Sequence, residues 1–253
     1  MTLLAVERIK LFTTRSPMWC TLAALAVTIG FAALIAGVDT DNLPTIASTQ
    51  FGYSFGLVVI MVMATLAITT EYRFGTIRAT FQAIPNRTAT LLAKTTVVAG
   101  FAALVGLVAA FGSVAISKLI QSSADLNINT AFEWRATAGV GLIYAAAAVI
   151  AVAVGIMIRH SAGAVSLVLI YSQLVESLVV LIPKVGDNIQ QWMPFYVANK
   201  FLTGDPDVTN RLPGEGPPAS VTPLSPWGAA AYFAGFALVL LVIALVTANK
   251  RDA

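Results

Sequence analysis

The charged residues of this chain that are best placed to do chemistry are concentrated in one segment, Glu71–Arg87. This segment mixes one acidic and three basic residues with several aromatic and aliphatic ones, which a purely solvated loop would not need. Phe74, Ile77, Arg78 and Phe81 fall at helical spacing, which predicts a short helix. We expect that helix either to contact a protein partner or to lie in a lipid headgroup layer.

Patterns for catalysis, nucleotide binding and metal ligation are missing from the sequence. It contains no Gly-x-x-x-x-Gly-Lys-Ser/Thr phosphate loop, no Gly-x-Ser-x-Gly elbow and no His-Glu-x-x-His pair. The single histidine, His160, and the single cysteine, Cys20, lie far apart in sequence and predict no metal site. We expect His160 to be an interfacial polar residue in a tight turn and Cys20 to pack as a small hydrophobe. Hence we predict neither an enzyme nor a cofactor bound by this chain.

The elements that must position these residues are membrane-spanning helices. The 253 residues are 58% hydrophobic and only 11% charged, against about 25% charged in soluble domains. About 20 apolar residues suffice to cross a bilayer, and the backbone in lipid must be hydrogen-bonded within a helix. The predicted fold is one all-α integral membrane domain over residues 1–253, with these spans: Met18–Val38, Phe51–Thr70, Leu91–Ile116, Ala136–Ile158, Ala162–Ile182 and Trp227–Ala248.

The distribution of Lys and Arg predicts the orientation of these spans. Ten basic residues fall on the side that holds both termini and Glu71–Arg87, and the positive-inside rule makes that side cytoplasmic. The net charge of +3 therefore reflects membrane topology, and we expect no nucleic-acid partner. The five basic residues on the other side are Lys118, Arg135, Lys184, Lys200 and Arg211.

Three segments lie outside the spans. Residues 1–16 are predicted to form an interfacial helix, with a disordered tail as the alternative, followed by Ser16 and Pro17 as N-cap and first residue of span 1. Residues 71–90 form a cytoplasmic loop, and residues 183–226 an external loop with short helices and a polar second half. The expected faces of the first helix are Ala5, Ile9 and Phe12 on the apolar side, and Glu7, Lys10 and Thr14 opposite.

The fifth span is the least apolar. At 100° per residue Ser166, Gln173 and Ser177 share a stripe, with Ser172 and Glu176 on its shoulder. Polar residues in spans usually face the interior of the bundle or a wet cavity. The stripe predicts either the lining of a path or ordinary interhelical hydrogen bonding, and Glu176 is expected to pair with a basic residue of the external layer. In span 2, Gly52 and Gly56 form a small-xxx-small pair that we interpret as helix packing.

Several of these segments together resemble the permeases of type-2 ABC exporters. The most specific part is Glu71-Tyr-Arg-Phe-Gly-Thr-Ile-Arg-Ala-Thr80, which is similar to the cytoplasmic loop of that family. Weaker similarities cover most of the chain in the same order: Glu7–Leu11, Thr14–Ser16, Ile84–Arg87, Leu92–Lys94, Arg159–Ala164, Leu181–Pro183 and Trp192–Pro194.

The resemblance implies a permease subunit of an ATP-driven exporter in a bacterial plasma membrane, with both termini cytoplasmic. It implies that the loop carries a coupling helix that docks on a separate ABC ATPase, which would hold ATP and Mg²⁺. It also implies a second permease chain, identical or related, and a substrate path where the first, second and fifth spans meet. The contact residues implied for the ATPase are Glu71, Arg73, Gly75, Thr76, Arg78 and Arg87.

Two other classes of function remain open from the sequence. A secondary transporter or channel would be expected to show charges near the bilayer midplane or interrupted spans in matching halves, and neither is evident. A membrane scaffold without transport is the other class, and the polar stripe of span 5 argues mildly against it. The residues do not indicate the substrate.

Overall fold

The computed structural model describes residues 2–38, 44–84, 86–204 and 220–251. Within these ranges the chain is helical and has no β-strand. Six helices are long and apolar enough to cross a membrane, which confirms the predicted all-α membrane architecture. They are span 1 (Arg15–Val38), span 2 (Tyr53–Arg73), span 3 (Arg87–Ile120), span 4 (Ala131–Ile158), span 5 (Ser161–Leu181) and span 6 (Pro226–Arg251).

Shorter helices lie at both ends of the bundle. The N-terminal helix (Leu3–Thr13) and the loop helix (Thr76–Ala83) lie at one end. The other end carries Ile46–Thr49, Gly186–Gln190 and the outer helix, Pro194–Thr203. The sequence also predicts a short acidic external loop with Asp39 and Asp41, and an end of the loop helix at Pro85. These positions, together with Arg211 and most of the polar loop before span 6, lie outside the described residues.

Span 4 forms the centre of the bundle and packs against spans 2, 3, 5 and 6. Of the 18-residue apolar stretch of span 4, 72% is buried inside the structure, whereas only 22% is buried in the corresponding stretches of spans 1 and 5. The core is built largely from aliphatic residues and alanine around Tyr144 and Phe233, both fully buried. Spans 1 and 5 therefore leave most of their apolar surface outside this chain's own core.

The N-terminal helix and the C-terminal end of span 6 lie at the same end of the bundle as the loop helix. Lys10 Nζ of the N-terminal helix is 3.3 Å from Thr80 Oγ1 of the loop helix, and Asn249 Nδ2 of span 6 is 3.0 Å from Thr88 Oγ1 of span 3. Two segments lie at the same end of a bundle when an even number of spans separates them. Two spans separate the N-terminal helix from the loop helix, and four spans separate Thr88 from Asn249. This end of the bundle carries ten of the fifteen basic residues.

The start of span 1 differs from the prediction. Ser16 is not an N-cap, because the helix already begins at Arg15 and only Thr14, with φ −91° and ψ 143°, interrupts the helical path from the N-terminal helix. Pro17 consequently occupies the third position of span 1. A proline is still tolerated there, because the first four N–H groups of a helix have no intrahelical acceptor.

Close packing of span 2 against spans 1 and 4 confirms the interpretation of Gly56. A Cβ at this position would overlap Thr28 Oγ1 of span 1 and Tyr144 Oη of span 4. Tyr144 Oη in turn donates to the backbone carbonyl of Tyr53 at 2.7 Å. The absent side chain lets three helices approach at one point.

The turn between spans 4 and 5 is short. Arg159 ends span 4 in the left-handed region at φ 59°, and His160 is the N-cap of span 5. The His160 Nδ1 atom accepts from the backbone N–H of Gly163 at 3.1 Å. His160 therefore caps a helix, in agreement with a polar residue in a tight turn.

Candidate functional site

The loop helix follows span 2 after only two residues, Phe74 and Gly75. The backbone N–H of Phe74 donates to the carbonyl of Thr70 at 2.9 Å, and that of Gly75 to Tyr72 at 3.3 Å, which closes the end of span 2. Gly75 has φ 72°, the left-handed conformation that commonly ends a helix and that a Cβ disfavours by about 1–2 kcal/mol. This glycine lets the chain reverse immediately into the loop helix.

The loop helix lies with one face on the bundle. Ile77 is 4% exposed and belongs to the main hydrophobic core, and the half-buried Phe81 packs against that core. By contrast, Phe74 is 71% exposed and Arg78 is also exposed. Ile77 and Phe81 therefore face the bundle, whereas Phe74 and Arg78 are left exposed for a partner or a headgroup layer. An eight-residue helix is not stable alone, and it is held here by burying its apolar side.

The six residues that the resemblance implied as contacts have three different placements. Arg73, Gly75, Thr76 and Arg78 are exposed and form a continuous outer surface of the turn and the loop helix. Arg87 is half-buried, with its guanidinium carbon 5.7 Å from the centroid of the Phe81 ring. Glu71 instead points into the bundle.

The inward-pointing Glu71 belongs to a cluster of four charges, called here the charge cluster: Glu7, Lys10, Glu71 and Lys94. Lys94 Nζ lies 2.5 Å from Glu7 Oε2 and 2.8 Å from Glu71 Oε1. Lys10 Nζ lies 2.7 Å from Glu7 Oε1 and 3.5 Å from Glu71 Oε1. Two carboxylates and two ammonium groups thus join the N-terminal helix to the ends of spans 2 and 3.

Burial makes this cluster a strongly coupled unit. The side chains of Lys94 and Glu7 are only 6% and 4% exposed. Burial by itself would raise the pKa of Glu7, but the ammonium groups of Lys94 and Lys10 outweigh it and hold the pKa below its usual value. Burial would likewise lower the pKa of Lys10, and the carboxylates of Glu7 and Glu71 raise it instead. These partners favour the ionised forms of Glu7 and Lys10 at neutral pH.

Sequence reasoning missed this cluster because the N-terminal helix does not bury the apolar face that its sequence predicts. Glu7 and Leu11 are buried, whereas Ile9 and Phe12 are 46% and 63% exposed. The one sequence feature that could have indicated the cluster is Lys94. It lies seven positions inside span 3, where a charged side chain needs a polar partner. Its partners come from segments far away in sequence, so spacing along the chain does not reveal them.

Span 5 is not the uniform α-helix that the wheel at 100° per residue assumed. Residues Ile170–Val175 form a π-helical segment, and Val179–Leu181 a final 3₁₀ turn. The π-helical turns lie between Ser166 and Ser177 and change their angular relation. Gln173 and Ser177 line a small outer cavity of about 170 Å³ together with Ser172 and Glu176, whereas Ser166 is exposed and does not line it.

Glu176 has a different partner from the one predicted. Its carboxylate accepts from the backbone N–H groups of Phe195 at 3.1 Å and Tyr196 at 2.7 Å. These amides belong to the first turn of the outer helix, where no intrahelical acceptor is available. The expected pairing with a basic residue is therefore wrong: Glu176 caps a helix, and the positive end of the helix dipole takes the place of a cation.

With both ends of the bundle described, comparison with known proteins gives one decisive finding. Residues 3–175 match the model of the family described as ABC-2 family transporter protein. The match covers more than half of the chain. This chain belongs to the ABC-2 transporter family. A search of curated proteins found no significant match.

Membership of the ABC-2 family defines the general role of the six-helix bundle. The chain is a multi-pass membrane protein and a permease component of an ABC transporter, and the family implies an ABC ATPase as partner. The matched residues include the charge cluster, the loop helix and span 5 as far as Val175. They end one residue before Glu176, so the capping contact of the outer helix lies outside the matched region.

Proposed function

We propose that this ABC-2 permease is the transmembrane subunit of an ATP-driven exporter that docks on a separate cytoplasmic ATPase through residues 71–87. The observation that carries the proposal is the orientation of the loop helix. Ile77 fixes one face to the bundle, and Arg73, Phe74 and Arg78 point away from it. A surface that combines two exposed guanidinium groups with an exposed aromatic ring suits a protein groove with acidic and apolar walls.

The charge cluster supports a mechanical role for this surface. The loop helix is joined to span 2 by two residues, and its Thr80 hydroxyl accepts from Lys10, which belongs to the cluster. The cluster in turn includes Lys94 of span 3 and Glu7 of the N-terminal helix. A displacement of the loop helix by the ATPase would reach the N-terminal helix through Lys10 and, from there, spans 2 and 3 through the buried ion pairs of the cluster. ATP and Mg²⁺ would be bound by the partner, not by this chain.

Charge reversal at the exposed surface tests the docking. Arg78→Glu should lower the amount of co-purified ATPase at least tenfold, or disconnect its ATP hydrolysis from transport, because an exposed cation facing an acidic groove becomes an anion. Lys118→Glu, an exposed charge reversal at the opposite end of the bundle, is the matched control. Normal ATPase binding and normal transport in Arg78→Glu would show that the docking assignment is wrong.

We also propose that the loop and both termini are cytoplasmic. Ten of the fifteen basic residues lie at this end, and lysine and arginine are retained on the cytoplasmic side during insertion. A cysteine at the exposed position Gln82, in a Cys20→Ser background, should resist a membrane-impermeant thiol reagent in intact cells and react after lysis. Labelling in intact cells would reverse the proposed topology.

We further propose that spans 1 and 5 face a second permease chain and that the substrate path runs beside span 5. The support is that these spans are the least buried, and that Gln173, Ser177 and Glu176 line the outer cavity. Ser166 would lie on the same seam nearer the cytoplasmic end. A cysteine at Gln173 should cross-link to the partner permease, whereas one at Leu238 on span 6, 59% exposed, should not. Equal cross-linking at both positions would refute the seam.

A further inference from the structure

The N-terminal helix turns an apolar face with a cation at its centre away from the bundle. Leu4, Ile9 and Phe12 are 49%, 46% and 63% exposed. Arg8 is also exposed and lies one helical turn from both Leu4 and Phe12 on the same face. An exposed apolar face that carries basic residues is typical of helices that lie in a lipid headgroup layer. What covers this face is decided by its depth in the bilayer.

The depth of this face follows from its contact with span 3. The Phe12 ring packs edge to face on the Phe101 ring, with the two centroids 5.3 Å apart. From Phe101 to the end of span 3 at Ile120 the helix rises about 28 Å at 1.5 Å per residue, close to the ~30 Å hydrocarbon thickness of a bilayer. Leu104 and Val108, on the next two turns of span 3, are 62% and 56% exposed, as residues that face lipid are. Phe12 therefore lies at the edge of the hydrocarbon core.

Arg8 lies further out than Phe12, at the depth of the headgroups. Its neighbour Glu7 binds Lys94 at 2.5 Å. Lys94 precedes Phe101 by two turns of span 3, a rise of about 10 Å away from the hydrocarbon. The N-terminal helix thus runs outward from the edge of the hydrocarbon into the headgroup layer. The Arg8 guanidinium, on its flexible stem, can reach the lipid phosphates while the apolar residues beside it stay at the hydrocarbon.

No carboxylate among the described residues neutralises this face. Arg8 and Arg15, the next exposed arginine, form no ion pair with any residue that the structure describes. The carboxylates described at this end are those of Glu7 and Glu71, and both bind the lysines of the charge cluster. Lys10, which links the cluster to the loop helix, lies about 160° from Arg8 around the N-terminal helix at 100° per residue. The Arg8 face therefore points away from the surface proposed for ATPase docking.

We propose that this face of the N-terminal helix binds an anionic phospholipid. The Arg8 guanidinium binds the lipid phosphate, which it fits with two parallel N–H donors, and Leu4, Ile9 and Phe12 contact the acyl chains. A zwitterionic lipid brings its own ammonium group to two arginines that no described carboxylate pairs, whereas an anionic headgroup neutralises them. The proposal does not depend on ATPase docking, because it concerns the permease and lipid alone.

Photo-cross-linking of the purified full-length permease tests the proposal in nanodiscs with equimolar phosphatidylglycerol and phosphatidylcholine. The photoreactive variant Phe12→p-benzoylphenylalanine should cross-link phosphatidylglycerol about fivefold more than phosphatidylcholine, as counted by mass spectrometry. Arg8→Gln in that background should lower the preference about fivefold, because one basic residue near an anionic surface contributes about this factor. Arg8→Lys keeps the charge and should retain the preference. The control Leu238→p-benzoylphenylalanine, at a residue of span 6 that is 59% exposed, should cross-link both lipids nearly equally.

Equal cross-linking of the two lipids at position 12, or a preference that Arg8→Gln leaves intact, would overturn the proposal. A preference that Arg8→Lys loses as fully as Arg8→Gln would also overturn it, because the argument rests on charge. The ATPase is the competing occupant of this face. When purified ATPase is added, the cross-link at position 12 should stay on the lipid. Transfer of the cross-link to the ATPase would assign the face to that subunit and refute the lipid site.

Discussion

Removal of the Lys94 charge from the charge cluster should lower the free energy of unfolding much more than removal of the Lys10 charge. Lys94→Met keeps the length and apolar character of the side chain but deletes its ammonium group. That group contacts both carboxylates, at 2.5 Å and 2.8 Å, in a setting where its own side chain is 6% exposed. Loss of one partner from a buried ion pair costs about 3–5 kcal/mol, because the other charge stays buried.

The position of Lys10 narrows the expected loss of unfolding free energy in Lys94→Met. Lys10 remains in contact with Glu7 at 2.7 Å, so the carboxylates keep one partner and we expect the lower end, about 3 kcal/mol. This corresponds to roughly a 100-fold change in the folding equilibrium. Lys10 is 33% exposed, and water can replace much of its contribution. Lys10→Met should therefore cost only about 0.5–1 kcal/mol.

Equilibrium unfolding of the purified permease in mixed micelles of sodium dodecyl sulfate measures both values. The double variant Glu7→Gln/Lys94→Met should recover at least about 1 kcal/mol of the loss, since no uncompensated carboxylate is left at position 7. If Lys94→Met is no more destabilising than Lys10→Met, the buried cluster does not hold the helices together and the reasoning is refuted.

Three further predictions follow from burial and close contact. The pKa of Glu7 in the folded protein is lowered from 4.5, so its stabilising contribution is present above pH 4.5 and is lost as the pH falls through the pKa of the folded state. The free energy of unfolding should therefore fall in acid, and it should fall less in Glu7→Gln. Glu176→Ala should speed hydrogen exchange at least tenfold in the two amides that it caps, whereas Ser177→Ala should leave them unchanged. Gly56→Ala should lower the thermal unfolding temperature through overpacking worth about 1–3 kcal/mol, whereas Gly100→Ala, where a Cβ meets no atom within 4 Å, should not.

The sequence alone was enough to predict the helical membrane architecture and the positions of the six spans. Runs of about 20 apolar residues have few alternatives in a bilayer, and the backbone must form helices there. Predicted and observed ends differ by only a few residues, as in Met18 against Arg15 for span 1. The loop helix was also predictable in place, because Gly75 and the apolar spacing after it are local features.

The partners of individual polar residues were decided only by the tertiary structure. The family resemblance implied that Glu71 contacts the ATPase, and the sequence led us to expect a basic partner for Glu176. The fold instead directs Glu71 to Lys94 and Glu176 to the amides of the outer helix. Hydropathy is a sum over neighbours in sequence, so it locates a span without regard to distant segments. A buried charge is instead stabilised by whichever group lies within a few ångströms in space, and for Glu7 that group is on Lys94, 87 positions further along the chain.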